Sequence, residues 1–166
     1  MRVSISNYEN LVSNAFRRAI RLGETDVVPR VSDLPYLSAS TYGKIELETL
    51  EDDRGEALIN KLIEKAVQNI FDRYFQVQQF EDFLARFKTG FSIEVSEGMR
   101  SSVYVDRTKE GTPQFGMRGL MDGLKKLECD RNSAALASGL EFILEGLHLH
   151  RRLNKEKVSG KTAYRA

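Results

Sequence analysis

An apolar row between residues 58 and 75 limits most strongly what this chain can fold into. Leu58, Ile59, Leu62, Ile63, Ala66, Val67, Ile70, Phe71, Tyr74 and Phe75 recur in pairs every four residues, the period that lines one wide face of an α-helix. Lys61, Glu64, Lys65, Asp72 and Arg73 occupy the remaining circumference, so the spacing predicts a central helix with its stripe in the core. Asp53 and Glu56 have the spacing of a capping box, in which each side chain satisfies a backbone N–H at the helix start.

Shorter helical patterns stand on either side. Tyr8, Leu11, Val12, Ala15, Ala19 and Leu22 share a face, while Asn10, Asn14, Arg17, Arg18 and Arg21 fall largely elsewhere. Ser6 and Glu9 repeat the capping-box spacing, and Gly23 suits the far end. Ser32 is placed as the N-cap of a brief helix through Asp33 and Leu34, with Pro35 in its first turn and Gly43 as its stop. Phe80, Phe83, Leu84 and Phe87 give a further helix closed by Gly90. Phe91, Ile93 and Val95 then alternate as a strand does, and a strand needs a partner. The stretch from Ser102 to Arg107 fits either a helical turn or a second strand. Leu120, Leu124 and Leu127 mark another helix, and Asn132 opens a final long one carrying Leu136, Leu140, Ile143, Leu144, Leu147 and Leu153. Residues 155–166 are polar and contain glycine, and are expected to fray as a flexible tail. The fold class that follows is mainly α, a helical bundle with one short strand pair at most.

Bulk composition narrows the function. A chain of 166 residues can bury a core without metal or disulfide staples. Its 25 Lys and Arg against 24 Asp and Glu leave a net charge of +1, which offers no long-range field to nucleic acid or to anionic lipid. Cys129, the only cysteine, excludes an internal disulfide and a thiolate cluster. No apolar run approaches the roughly 20 residues of a membrane helix, and residues 1–10 lack an apolar signal core after Arg2. The expectation is a cytoplasmic protein with neither nucleic acid nor membrane among its partners.

Motifs that could carry chemistry are few. Ser159-Gly160-Lys161-Thr162 matches the end of a phosphate-binding P-loop, but Lys155 stands where the first glycine belongs, and a helical pattern precedes it instead of a strand. His148 and His150 are two positions apart, which on a helix turns the rings roughly 200° from each other and spoils a shared metal. His150 lies near the apolar face and reads as a core or subunit-contact histidine; His148 reads as peripheral. Glu51, Asp52 and Asp53 precede a helix, and Arg151, Arg152, Lys155 and Lys157 follow one, so both runs suit the helix dipole. No G-x-S-x-G nucleophile elbow is present. The residues alone name no catalytic group and no metal ligand.

The wording of the sequence adds to this. Residues 2–15, Arg-Val-Ser-Ile-Ser-Asn-Tyr-Glu-Asn-Leu-Val-Ser-Asn-Ala, with Arg17, Arg18 and Ala19, resemble the start of the helical lid in magnesium chelatase subunit I-like and MoxR-like AAA+ ATPases. Residues 28–34 (Val-Pro-Arg-Val-Ser-Asp-Leu), 43–48 (Gly-Lys-Ile-Glu-Leu-Glu) and 140–155 (Leu-Glu-Phe-Ile-Leu-Glu-Gly-Leu-His-Leu-His-Arg-Arg-Leu-Asn-Lys) are similar to the same family. The likeness spans most of the chain except residues 97–114. It implies an AAA+ lid-like segment over residues 1–50, a helical C-terminal extension over 51–154, and the tail at 155–166. It further implies a lid that closes on ATP and Mg²⁺ held by a nucleotide-binding core with the Walker A and Walker B motifs that these residues lack. In that reading the chain alone is not an enzyme, although the full-length protein would be an ATPase. Its partners would be the core, neighbouring subunits of a ring of about six, and a protein with a metal-dependent adhesion (VWA) domain. Arg2 occupies the place of the family's sensor-2 arginine, where a guanidinium pairs with the γ-phosphate. The competing reading is a stand-alone helical protein-interaction module without nucleotide binding.

Overall fold

The computed structural model describes residues 2–41, 52–109 and 117–166. Seven α-helices are described: α1 (Arg2–Leu22), α2 (Leu37–Thr41), α3 (Asp52–Tyr74), α4 (Glu81–Phe87), α5 (Ser101–Lys109), α6 (Arg118–Lys126) and α7 (Ser133–Leu149). Two 3-10 helices, Val31–Tyr36 and Val77–Phe80, lead into α2 and α4. A three-stranded antiparallel sheet completes the fold: β1 (Ile93–Val95), β2 (Asn154–Val158) and β3 (Lys161–Arg165), in the order β1-β3-β2. The fold is mainly helical, as the periodicity requires. Gly43 and the boundary placed near residue 50 lie outside the described residues.

The centre of the molecule is α7. Asn132 caps it, its side-chain oxygen accepting the N–H of Ala135 at 2.8 Å. Leu140, Ile143, Leu144 and Leu147 are completely buried, and α3, α5, α6 and the first 3-10 helix all pack on this helix. An aromatic cluster fills the space beneath it: Phe71 of α3 and Phe75 just past its end lie 5.3 Å apart, Phe75 and Phe80 5.3 Å apart, and Phe83 and Phe87 5.1 Å apart. Gly146 makes the closest approach possible, because a Cβ built there would stand 2.0 Å from the Phe71 ring. The glycine at this position is a packing requirement.

Several expectations need correction. The role of central core helix belongs to α7 and not to α3. Only Ile59, Val67, Phe71 and Phe75 of the α3 stripe are buried, while Leu58, Leu62, Ala66, Ile70 and Tyr74 form a second row that faces solvent. Its stripe is wider than the surface α7 offers, so half stays outside. Ser6 and Glu9 lie inside α1, which has already begun at Arg2, and so do not stand at its start; Asp53 likewise lies inside α3, which starts at Asp52. The brief helix near Ser32 exists, but its cap is Arg30, whose N–H is accepted by the Asp33 carboxylate at 2.8 Å.

The tail does not fray. Residues 154–165 fold into a hairpin whose second strand, β3, is central in the sheet and pairs with β1, Ile93 opposite Tyr164 and Val95 opposite Thr162. This answers the question of what β1 pairs with, and residues 102–107 lie in α5 instead. Ser159 and Gly160 form the turn, with φ of 50° and 76°, and a glycine suits that left-handed geometry. Tyr164 and Ala163 are buried, which anchors a segment that looks polar on average. Gly23 and Gly90, with φ of 65° and 91°, end α1 and the turn after α4 as expected.

Replacing Gly146 with Ala forces the methyl group into the Phe71 ring. The expected cost is about 1–3 kcal/mol in urea unfolding, the range for overpacking a core; an unchanged midpoint would show that the two helices can part freely.

Candidate functional site

Beside the apolar core lies a buried polar cluster that joins α1 to the rest of the molecule. Arg18, placed by its spacing outside the α1 stripe, is in fact almost fully buried. Its Nε and Nη2 donate to the two oxygens of Asp33 at 3.2 and 3.0 Å, and Nη2 also donates to the Val28 carbonyl at 2.7 Å. Arg30, buried as well, donates to the Met99 carbonyl at 2.8 Å and to the Ser101 hydroxyl, and its guanidinium lies 4.9 Å from the centre of the Tyr104 ring. Glu24 stands between the two arginines, 3.5 Å from Arg18 and 3.3 Å from Arg30. Its carboxylate also accepts the Ser101 N–H at the start of α5.

These contacts explain which side of α1 faces inward. Asn7 accepts from Ser40 at 2.8 Å and from Thr41 at 3.1 Å, and Asn10 donates to the Tyr36 carbonyl at 2.6 Å. Asn7, Asn10, Asn14, Ala15, Arg18 and Ala19 therefore form the inner face against the polar 3-10 helix and α2. Tyr8 and Val12, expected in the core, are exposed.

Two glutamates one turn apart on α7 continue the network. Glu141 accepts the Tyr104 hydroxyl at 2.6 Å and the Ser32 N–H at 2.8 Å, tying α7 to α5 and to the first 3-10 helix. Glu145 accepts the Tyr164 hydroxyl at 2.6 Å and Lys155 at 2.7 Å, tying α7 to both strands of the hairpin. Sequence reasoning did not single out either glutamate. The signal was available: α7 is apolar around nearly its whole circumference, and acidic residues within such a helix must be buried and partnered.

A cleft of about 340 Å³ opens above Glu141, between Val31 and Pro35 on one side and Val95, Thr162 and Lys157 on the other. The Ser159-Gly160-Lys161-Thr162 stretch lines its rim as a hairpin turn. Lys161 pairs with Glu94 at 3.4 Å and continues into β3, where a P-loop would continue into a helix.

Burial pushes the Glu141 carboxyl up, against the opposing hydrogen bonds of Tyr104 and Ser32 and the field of Arg30. Burial would also raise Glu24, but the Ser101 N–H and hydroxyl, with Arg30 and Arg18, outweigh it and hold that carboxyl below its ordinary range. Burial pushes up the Tyr104, Tyr164 and Cys129 protons, so none of the three is primed as a base or nucleophile.

The remaining sequence candidates are placed separately. Arg2 opens α1, at the end away from Gly23. The His148 Nδ1 lies 3.0 Å from the Leu153 carbonyl; the His150 Nδ1 lies 2.8 Å from the Gly146 carbonyl and its Nε2 2.8 Å from Asp72 on α3. His150 thus bridges the end of α7 to α3 within the chain. Among the described residues no group of three or more His, Cys, Asp or Glu side chains is arranged to hold a metal ion, and no helix is long and apolar enough to cross a membrane. Comparisons with protein-family models, curated proteins and solved structures find no match to this chain.

Two measurements test the cluster. Arg18→Met leaves the Asp33 carboxylate buried without its fork of donors and should cost about 3–5 kcal/mol, where an exposed pair would cost under about 1. A raised Glu141 contributes stability that is present in acid and lost as the pH rises through its folded value; the depressed Glu24 contributes the opposite, lost as the pH falls. Glu141→Gln should therefore gain on the parent protein over the range in which the pH rises above the ordinary pKa of a carboxylate, as read in urea titrations. A difference that is flat across that range would mean that burial does not raise Glu141.

Proposed function

We propose that this chain is the C-terminal helical lid and assembly portion of a ring-forming AAA+ ATPase of the magnesium chelatase type, working with a P-loop core to drive remodelling of a partner protein. The observation that carries the reading is the outward row on α3. Leu58, Leu62, Ala66, Ile70 and Tyr74 follow one another at four-residue intervals on the exposed side of a long helix. Continuous apolar surface of this kind marks a face that another protein covers.

The family wording supports the reading from a second direction. Its quoted stretches contain Arg18, Arg30, Asp33, Glu141 and Glu145, five of the charged groups in the polar cluster. The P-loop-like stretch is a hairpin turn between two strands, which suits a reading in which the phosphates are held elsewhere. In this reading the triphosphate and Mg²⁺ belong to the core, the neighbouring subunit completes the ring, and Arg2 is presented to the nucleotide from the start of α1. A VWA-type partner and a cytoplasmic location belong to the same proposal.

The alternative, a stand-alone interaction module, uses the same exposed row without any nucleotide. Calorimetry separates both from a self-contained ATPase: titrating ATP into this polypeptide should give no binding heat, and tight binding would overturn the lid reading. Within a full-length ATPase, Arg2→Ala should slow turnover by on the order of 10³-fold while leaving the fold intact. Unchanged turnover there would favour the interaction module.

A further inference from the structure

The outer side of α1 carries a second apolar row, and its order of residue types is the same from either end. Ile5, Tyr8, Val12, Phe16 and Ile20 are all exposed, Tyr8 at 69% and Ile20 at 66%. At 100° per residue they fall within an arc of about 120°, turned away from Asn10, Asn14 and Arg18, with the buried Ala19 near one edge of the arc. Their order is aliphatic, aromatic, valine, aromatic, aliphatic, with Val12 at the centre.

Such a row is complementary to itself. When two α1 helices are laid antiparallel with a two-fold axis at Val12, Tyr8 lies opposite Phe16 of the second copy, Val12 opposite Val12, and Ile5 within one residue of Ile20. The charges agree with this register. Glu9 and Arg17 are exposed on the same flank of the row, and neither forms an ion pair among the described residues. The antiparallel arrangement brings Glu9 of each copy near Arg17 of the other, forming two pairs at once, whereas a parallel two-fold sets opposite flanks together and leaves these charges apart. The five apolar side chains offer on the order of 500 Å² per copy. With their polar flanks they approach the roughly 800 Å² per partner of an ordinary specific interface.

We infer that α1 is a self-association surface, through which a second copy of this chain packs antiparallel across a two-fold axis at Val12. The pairing is isologous: one patch meets itself and the assembly closes at two. It uses α1 and leaves the α3 row free, so it does not depend on the AAA+ reading.

Sedimentation equilibrium of the intact chain tests it. The mass should rise from one chain to two with concentration, reaching the dimer below about 1 mM, and should not climb further. Val12→Arg places two cations at the axis and should weaken association at least about tenfold, with the circular dichroism spectrum and melting unchanged because Val12 is exposed. Glu9→Arg alone should weaken it, and Glu9→Arg with Arg17→Glu should restore it. A monomer throughout the range, growth beyond two copies, indifference to Val12→Arg, or failure of the double reversal to restore pairing would each overturn the inference. None of these outcomes bears on ATP binding, so the lid reading stands or falls separately.

Discussion

The fork of Arg18 on Asp33 determines how the first helix sits, and most of what is unusual about this molecule follows from it. A buried guanidinium must have its donors met, and Asp33 with the Val28 carbonyl meets them in one orientation only. The helix is thereby locked with asparagines, alanines and Arg18 inward. Its large apolar side chains have no place left except the outside. A hydrophobic core ordinarily decides the rotation of an amphipathic helix; here charge and hydrogen bonding decide it, and the apolar face becomes available to other molecules.

The same logic extends along α7. Glu141 and Glu145 sit one turn apart on the most buried helix, and each is held by a tyrosine hydroxyl and one further donor. Through them α7 is bonded to the 3-10 helix, α5, β2 and β3, so the polar contacts tie together the pieces that the aromatic cluster does not reach. Arg30 and Glu24 link this ladder to the Arg18 clamp by way of Ser101 and Tyr104. Burying so many charges costs solvation and returns specificity of arrangement only while every partner is present.

Much of the helical fold was legible in the sequence. Phe83, Leu84 and Phe87, the cap at Asn132, and the stops at Gly23 and Gly90 act through local backbone chemistry, and local chemistry is what a pattern records. The tail was misread because two residues, Ala163 and Tyr164, anchor it to distant elements, while its average polarity says only that it is solvated. The direction of α1 was misread because period alone reports that apolar residues share a face, not which face is bought inward by a buried arginine. Glu141 and Glu145 were the missing part of the site, although two acids in an otherwise apolar helix were visible as an anomaly. The stretches that carry the family likeness include Arg18, Arg30, Asp33, Glu141 and Glu145 but not Glu24, Ser101 or Tyr104, and wording alone does not say which of them bond to one another.

The orientation of α1 can be measured directly by thiol labelling in a Cys129→Ser background, at dilution where the chain is monomeric. A cysteine replacing Phe16 should react at the rate of a free thiol, and one replacing its neighbour Ala15 should be protected until the protein unfolds. Fast labelling at position 15 with protection at position 16 would contradict the account, because it would place the apolar row in the core and Arg18 in solvent.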